Sequence, residues 1–142
     1  MADRVVEELD EYQCLTLIPP TGVGRIAYLS RFGPAVVPIN YTVHRGAVVF
    51  RTGEHGPLDE DLGTAVADGG PGLALEVDDV SAGARHGWSV LIQGPARRLT
   101  PGEEEDTIRH TRVEPWVPGE RELFIRIVPA RITGRRVSPR SA

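Results

Sequence analysis

Three short segments carry side chains whose types and order suit chemistry. Val49-Phe50-Arg51-Thr52-Gly53 is a β-prone run that ends in a cation, a hydroxyl and a glycine. Such an end suits a phosphate: arginine offers a bidentate fork, threonine a hydroxyl, and glycine an unhindered N–H. Val36-Val37-Pro38-Ile39-Asn40-Tyr41 is a strand with proline in its middle. Proline deletes a ladder hydrogen bond, so this strand is an edge or is bulged, and its backbone groups are open to another partner. Gly87-Trp88-Ser89-Val90-Leu91-Ile92-Gln93-Gly94 opens a long apolar strand with an indole and a hydroxyl.

Other constellations are excluded by their surroundings. Gly22-Val23-Gly24-Arg25-Ile26-Ala27 matches the dinucleotide-binding glycine pattern. That pattern needs a strand before it and a helix after it. Here a helix and two prolines precede it, and no acidic residue stands about 20 positions on to hold a ribose. It reads as a glycine turn entering a strand. His44, His55, His86 and His110 do not pair with one another at metal-ligand spacing, and no metal site is expected. Cys14 sits among apolar neighbours in the first helix and reads as an inert buried thiol. Ser89 lacks a nucleophile elbow. With no acid–base or nucleophilic constellation, any catalysis is expected to come from a cofactor; the catalytic residues stay unassigned.

The elements that must position these groups are mostly strands. Asp10, with Gln13 three residues on, marks a capped short helix stopped by Pro19-Pro20, and residues 1–8 before it either make another turn or stay frayed. Strands follow over 23–29, 35–43 and 47–52, with Ser30-Arg31-Phe32-Gly33 as a turn and His44-Arg45-Gly46 as a three-residue hairpin loop. A helix over 58–67 ends at Asp68-Gly69-Gly70-Pro71-Gly72. Strands over 73–77 and 88–99 come next, then a helix capped by Thr100 with Glu103, Glu104 and Glu105 at its positive end. The segment 123–137 is a strand pair or one strand bent at Pro129, and 138–142 is a tail. The fold class is mainly β: six or more antiparallel strands with two or three short flanking helices, closed into a barrel that removes edges.

The 142 residues fit one domain, 1–142. Sixteen basic residues, all arginine, stand against 20 acidic ones, for a net charge of −4. That balance argues against nucleic acid as a partner, and the arginine-rich end reads as a solvated strand edge. No run approaches the ~18 apolar residues of a membrane span, and the N-terminus has no signal-peptide pattern. The expected location is therefore cytoplasmic.

Val23-Gly24-Arg25-Ile26-Ala27, Pro38-Ile39-Asn40-Tyr41, Phe50-Arg51-Thr52 and Gly87-Trp88-Ser89-Val90, in this order, resemble the pyridoxamine 5′-phosphate oxidase-like split-barrel family. More narrowly they resemble its small actinobacterial members. Pro115-Trp116-Val117-Pro118-Gly119 and Arg131-Ile132-Thr133-Gly134-Arg135 extend the match. The resemblance implies a six-stranded split barrel and a homodimer with the cofactor at its interface. It implies flavin mononucleotide (FMN) and hydride transfer to a small-molecule substrate. The alternatives are the deazaflavin coenzyme F420, or a non-catalytic dimer with a decayed cofactor site. Carried over, Val37, Pro38, Ile39 and Asn40 would line the flavin ring with backbone groups. Phe50, Arg51 and Thr52 would hold the phosphate, and Trp88 and Ser89 would approach from the partner subunit. Pro57 stands where family members usually carry a phosphate-binding lysine, with Glu54, His55, Asp59, Glu60 and Asp61 around it. The C-terminal substrate-gripping segment of vitamin oxidases is absent from this sequence, so vitamin processing is not expected.

Overall fold

The computed structural model describes residues 4–53, 72–111 and 122–139. Eight strands and two helices fall within them: β1 (Arg4–Leu9), α1 (Glu11–Leu17), β2 (Thr21–Ser30), β3 (Gly33–His44), β4 (Ala47–Gly53), β5 (Gly72–Ser81), β6 (His86–Arg98), α2 (Pro101–His110), β7 (Glu122–Ile127) and β8 (Arg131–Pro139). The expected helix over 58–67 and the Trp116 loop lie outside the described residues.

All strand pairs are antiparallel, in the order β1-β8-β6-β5-β2-β3-β4-β7. A further pairing of β7 with β6 closes β6-β5-β2-β3-β4-β7 into a six-stranded ring. The thirteen-residue β6 makes this possible. One of its edges pairs with β8 over Gly87–Gln93 and with β7 over Ala96–Arg98. Gly94 stands at the changeover, where a Cβ would lie 1.8 Å from the Val128 carbonyl oxygen. Only glycine lets the β7–β8 connection come this close. That connection is held by the Val128 N–H donating to Pro95 O and the Ala130 N–H donating to Gln93 O.

Alternation along the strands fills the ring. Ile26, Tyr41, Val48, Phe50, Leu75, Ile92, Ile125 and Ile127 are buried in one cluster. Each such side chain contributes roughly 1.5–3 kcal/mol of burial. Gly22 and Gly24 lie within β2, not in a phosphate loop. A Cβ on Gly24 would stand 2.7 Å from Leu75 and 2.9 Å from the Glu76 carbonyl oxygen, so this glycine serves strand packing.

Four sequence expectations change. Residues 4–9 form β1, because Glu7 and Glu8 stand opposite Arg136 and Arg135 of β8, and such cross-strand charge pairs favour the register. The arginine-rich β8 is therefore an interior strand between β6 and β1, not a solvated edge. Ser138 and Pro139 belong to it and are not tail. Finally, the β3–β4 loop has two residues, since His44 pairs with Ala47. Arg45 and Gly46 both take positive φ, 51° and 75°, as a type I′ hairpin requires.

The caps form as the sequence indicates. Asp10 accepts from the Gln13 N–H and Gln13 accepts from the Asp10 N–H, both at 2.8 Å. Thr100 and Glu103 repeat the arrangement on α2. α1 seats on β8 through buried Cys14, whose sulfur would lie 2.7 Å from a Cβ on Gly134. The Pro19-Pro20 stop then docks on β3: Pro19 O accepts from the Tyr41 hydroxyl and Pro20 O from the Val43 N–H.

Candidate functional site

The β3–β4 ladder runs only from His44·Ala47 to Tyr41·Phe50. Beyond that pair β4 continues against β7 as Arg51·Phe124, Thr52·Leu123 and Gly53·Glu122. β3 continues against β2 as Asn40·Val23, Ile39·Gly24 and Pro38·Arg25. Among the described residues, the β4-facing edge of β3 over 34–40 has no strand partner. The ring opens there. Pro38 sits on a stretch paired on one side only, which is where a sheet tolerates proline.

Val37 and Ile39 turn inward and pack against the core, whereas Pro38 is exposed and Asn40 is half-buried on the outer face. Phe50 is wholly buried, so its side chain serves the core and is not offered to a ligand. Arg51 and Thr52 are half-buried at the open end of β4. The Arg51 guanidinium lies over the Phe124 ring, 4.5 Å from its centroid, in a cation–π contact that fixes its stem. Val49, Leu99 and Phe124 form a small cluster outside the ring, on the same face as Arg51.

Trp88 and Ser89 stand elsewhere. β6 is three strands from β3 in either direction around the ring, on the opposite wall. Trp88 pairs with Asp79 and Arg136, and Ser89 with Asp78 and Arg135. With Arg85, His86, Arg135 and Val137 they border a hollow of about 260 Å³. A separate apolar pocket of about 500 Å³ lies between α1, the β3–β4 hairpin and the β7–β8 connection, lined by Leu15, Ile18, Val43, Val48, Ile92 and Ile132. None of the sequence-derived site residues reaches it.

Besides the Arg136–Glu7 pair at 3.4 Å, three charged groups of three or more residues stand on the barrel exterior among the described residues. Arg25 on β2 approaches Glu76 at 3.4 Å and Asp78 at 3.5 Å on β5. Burial and the neighbouring Asp78 carboxylate push Glu76 up to about 7, against the opposing pull of Arg25. Arg97 forks Glu103 with two 2.7 Å bonds, and Arg126 approaches the same carboxylate at 3.4 Å. Arg97, with the Thr100 cap, holds the Glu103 carboxyl down at about 2. Asp106 on α2 accepts from Arg45 at 2.7 and 3.1 Å and lies 3.0 Å from His44 Nε2 and 3.1 Å from His110 Nδ1. Arg45 and then His44 hold its carboxyl well below the usual range.

This last group, His44, Asp106 and His110, gathers metal-type ligands where the sequence reading expected none. The readable part was Asp106 and His110, four apart on one helix face. His44 ends β3, 62 positions from Asp106, and only the tertiary fold supplies it.

The pyridoxamine 5′-phosphate oxidase family profile matches residues 10–136. An uncharacterized protein of Mycobacterium tuberculosis, Rv0080, is 33% identical over 138 residues, covering 94% of this chain and 87% of the relative. The FAD-binding protein of Mycobacterium smegmatis superposes with a TM-score of 0.75 at 28% identity, covering 92% of this chain and 97% of that one. An FAD-binding protein of Mesorhizobium loti shares the fold, with a TM-score of 0.73 at 23% identity over 96% and 99% of the two chains. A profile match over most of the length, on a ring that opens between β3 and β4, places this chain in the pyridoxamine 5′-phosphate oxidase family of split barrels.

Proposed function

We propose that the chain is a flavin-dependent oxidoreductase that binds FMN at the opening of its ring and works as a homodimer. The observation that carries this reading is the end of the β3–β4 ladder at Tyr41·Phe50. It leaves the edge of β3 beside the Arg51-Thr52-Gly53 end of β4.

The donor set fits a flavin nucleotide. The edge at Val37, Pro38, Ile39 and Asn40 carries backbone groups without a strand partner among the described residues, suited to the polar rim of a flat heterocycle. Arg51 and Thr52 supply a cation and a hydroxyl for a phosphate. A bound flavin would contribute the redox chemistry. The chain's part is then binding, orientation and exclusion of water, toward a small organic substrate. The M. smegmatis relative is named as an FAD-binding protein, which supports a flavin as the cofactor class.

The opposite placement of Trp88 and Ser89 supports the dimer. A single chain holds them on the far wall from the opening, and a second copy can bring them to it. The outer face of β2 and β3 has the character for such contact: Val23, Leu29 and Val36 are exposed on it, and Phe32 at its turn is 92% exposed.

The test is a fluorescence titration of the apo protein with FMN, FAD and the deazaflavin coenzyme, alongside sedimentation. Saturation by FMN at one per chain in a dimer is expected. Arg51→Ala should weaken it about tenfold or more, since a charged hydrogen bond is worth roughly 1.5–3 kcal/mol. Preference for the deazaflavin overturns the choice of FMN. Unchanged FMN affinity in Arg51→Ala overturns the phosphate assignment, and failure of all three to bind overturns the reading.

A further inference from the structure

We infer that His44, Asp106 and His110 form a binding site for a divalent transition-metal ion, of which zinc is the natural probe. One ligand atom from each of the three lies within 4.8 Å of the others. His44 Nε2 is 3.0 Å from Asp106 Oδ2, and His110 Nδ1 is 3.1 Å from Asp106 Oδ1. The two contacts use different oxygens of the carboxylate, and His110 Nδ1 also lies 2.9 Å from the Asp106 carbonyl oxygen, so an ion would draw the three ligand atoms, now within 4.8 Å, onto edges of about 3.3 Å with bonds of about 2.0–2.1 Å. The two imidazole planes are 22° from parallel with centroids 5.9 Å apart, and each ring places one nitrogen against the Asp106 carboxylate. Two histidines and one carboxylate, with a further position for water, form a donor set that zinc and its neighbours accept.

The site joins two elements. His44 is the last residue of β3, before the hairpin turn, and the other two ligands are one helical turn apart on α2. His44 is held firmly, its side chain being 15% exposed, while Asp106 and His110 are 33% and 50% exposed and open to an arriving ion. A metal here would staple the β3–β4 hairpin to the helix at the start of β4, the end remote from Arg51 and Thr52. It is a second site, independent of the flavin reading.

Arg45 is the built-in competitor. Its guanidinium forks the same carboxylate at 2.7 and 3.1 Å, yet its side chain is 66% exposed and can swing into solvent. Removing Arg45 takes a positive charge from beside the ion and frees Asp106. A salt-bridged aspartate and a metal site respond to that change in opposite directions: the first loses its partner and the second gains affinity.

The experiment is a calorimetric titration of the tag-free full-length protein with Zn2+ alone, in a non-chelating buffer. One ion per chain is expected, with a dissociation constant below about 100 μM, and the melting temperature should rise with Zn2+. His44→Gln and His110→Ala should each weaken binding about tenfold or more. His86→Ala, remote from the cluster, should leave it intact. Arg45→Ala should keep or tighten it. Because His110 is half exposed, His110→Ala should fold even if His44→Gln does not, and circular dichroism checks each. Absence of binding at that level, retention of binding in His110→Ala, or its loss in Arg45→Ala overturns the site.

Discussion

Glu76 makes the barrel exterior sensitive to pH, and the sign of the effect follows from its surroundings. Its carboxyl titrates at about 7 against an ordinary 4.5, because burial and Asp78 together outweigh Arg25. The folded state thus keeps a proton that the unfolded chain releases between those values. Folded-state proton binding favours the fold at low pH, so this contribution is present below about 4.5 and is lost as pH rises through about 7. At about 1.4 kcal/mol per pH unit, a fully shielded carboxyl would account for roughly 3 kcal/mol. The Glu76 side chain is 34% exposed, and solvent screening cuts this to about 1 kcal/mol. Glutamine keeps the neutral shape without the ionisation. Glu76→Gln should therefore melt with the parent near pH 4.5 and about 3–5 °C above it near pH 8. The attraction to Arg25 needs no separate correction, since it is already contained in the carboxyl's position. Scanning calorimetry of the apo protein and the variant at both pH values is the assay. A variant that gains nothing at the higher pH, or gains more at the lower, refutes the reasoning.

Two further outcomes test the packing that positions the site. Gly94→Ala places a Cβ 1.8 Å from the Val128 carbonyl oxygen, a backbone atom that cannot step aside. It should cost more than about 3 kcal/mol in urea unfolding or prevent folding, and a parent-like midpoint would show that the ring does not close at β6. Cys14 is wholly buried, and burial, then Asp10, pushes its thiol up. It should resist a thiol reagent in the native protein and react fully in denaturant; prompt native labelling would show that α1 is not seated on β8.

The strands were legible wherever β-branched residues ran between turn residues, and the two described helix starts were legible, α1 in its Asp10–Gln13 capping box and α2 in its Thr100 cap with glutamates at the positive end. What the sequence hid was pairing at long range. β1 carries five exposed positions out of six, so it has no burial alternation to read. Its identity comes from Arg135 and Arg136, more than a hundred positions away. The candidate site divided in the same way. Pro38 marked β3 as an edge or a bulged strand from sequence alone, and Arg51-Thr52 marked a strand end with phosphate chemistry. That the two flank one opening depends on where the β3–β4 ladder stops, a property of register that composition does not carry. Phe50 shows the converse: adjacent to Arg51 in sequence, it faces the core because strand side chains alternate.

The two ends of β4 are tied to one helix, so the His44, Asp106 and His110 cluster and the end of β4 at Arg51 share a support. Alternation sends Val48 and Phe50 inward and places Val49 and Arg51 on the outer face. There Val49 packs with Leu99 and Phe124, and Phe124 in turn carries the Arg51 guanidinium. Leu99 immediately precedes the Thr100 cap of α2, and its N–H donates to Phe124 O at 3.0 Å. The helix is anchored to the β6–β7 side by Glu103 on Arg97 and Arg126, and to the β3–β4 hairpin by Asp106 on His44 and Arg45. Phe124 is thus held between Leu99, the residue before the α2 cap, and the Arg51 guanidinium. Loosening the helix should blur the placement of Arg51 without touching any residue at the opening itself. Glu103 is the point to apply that strain, because one carboxylate serves the cap and both arginines. Glu103→Ala should weaken FMN binding less than Arg51→Ala does, with both variants still folded. Equal FMN affinity in Glu103→Ala and the parent would mean that Phe124 and β7 hold Arg51 unaided.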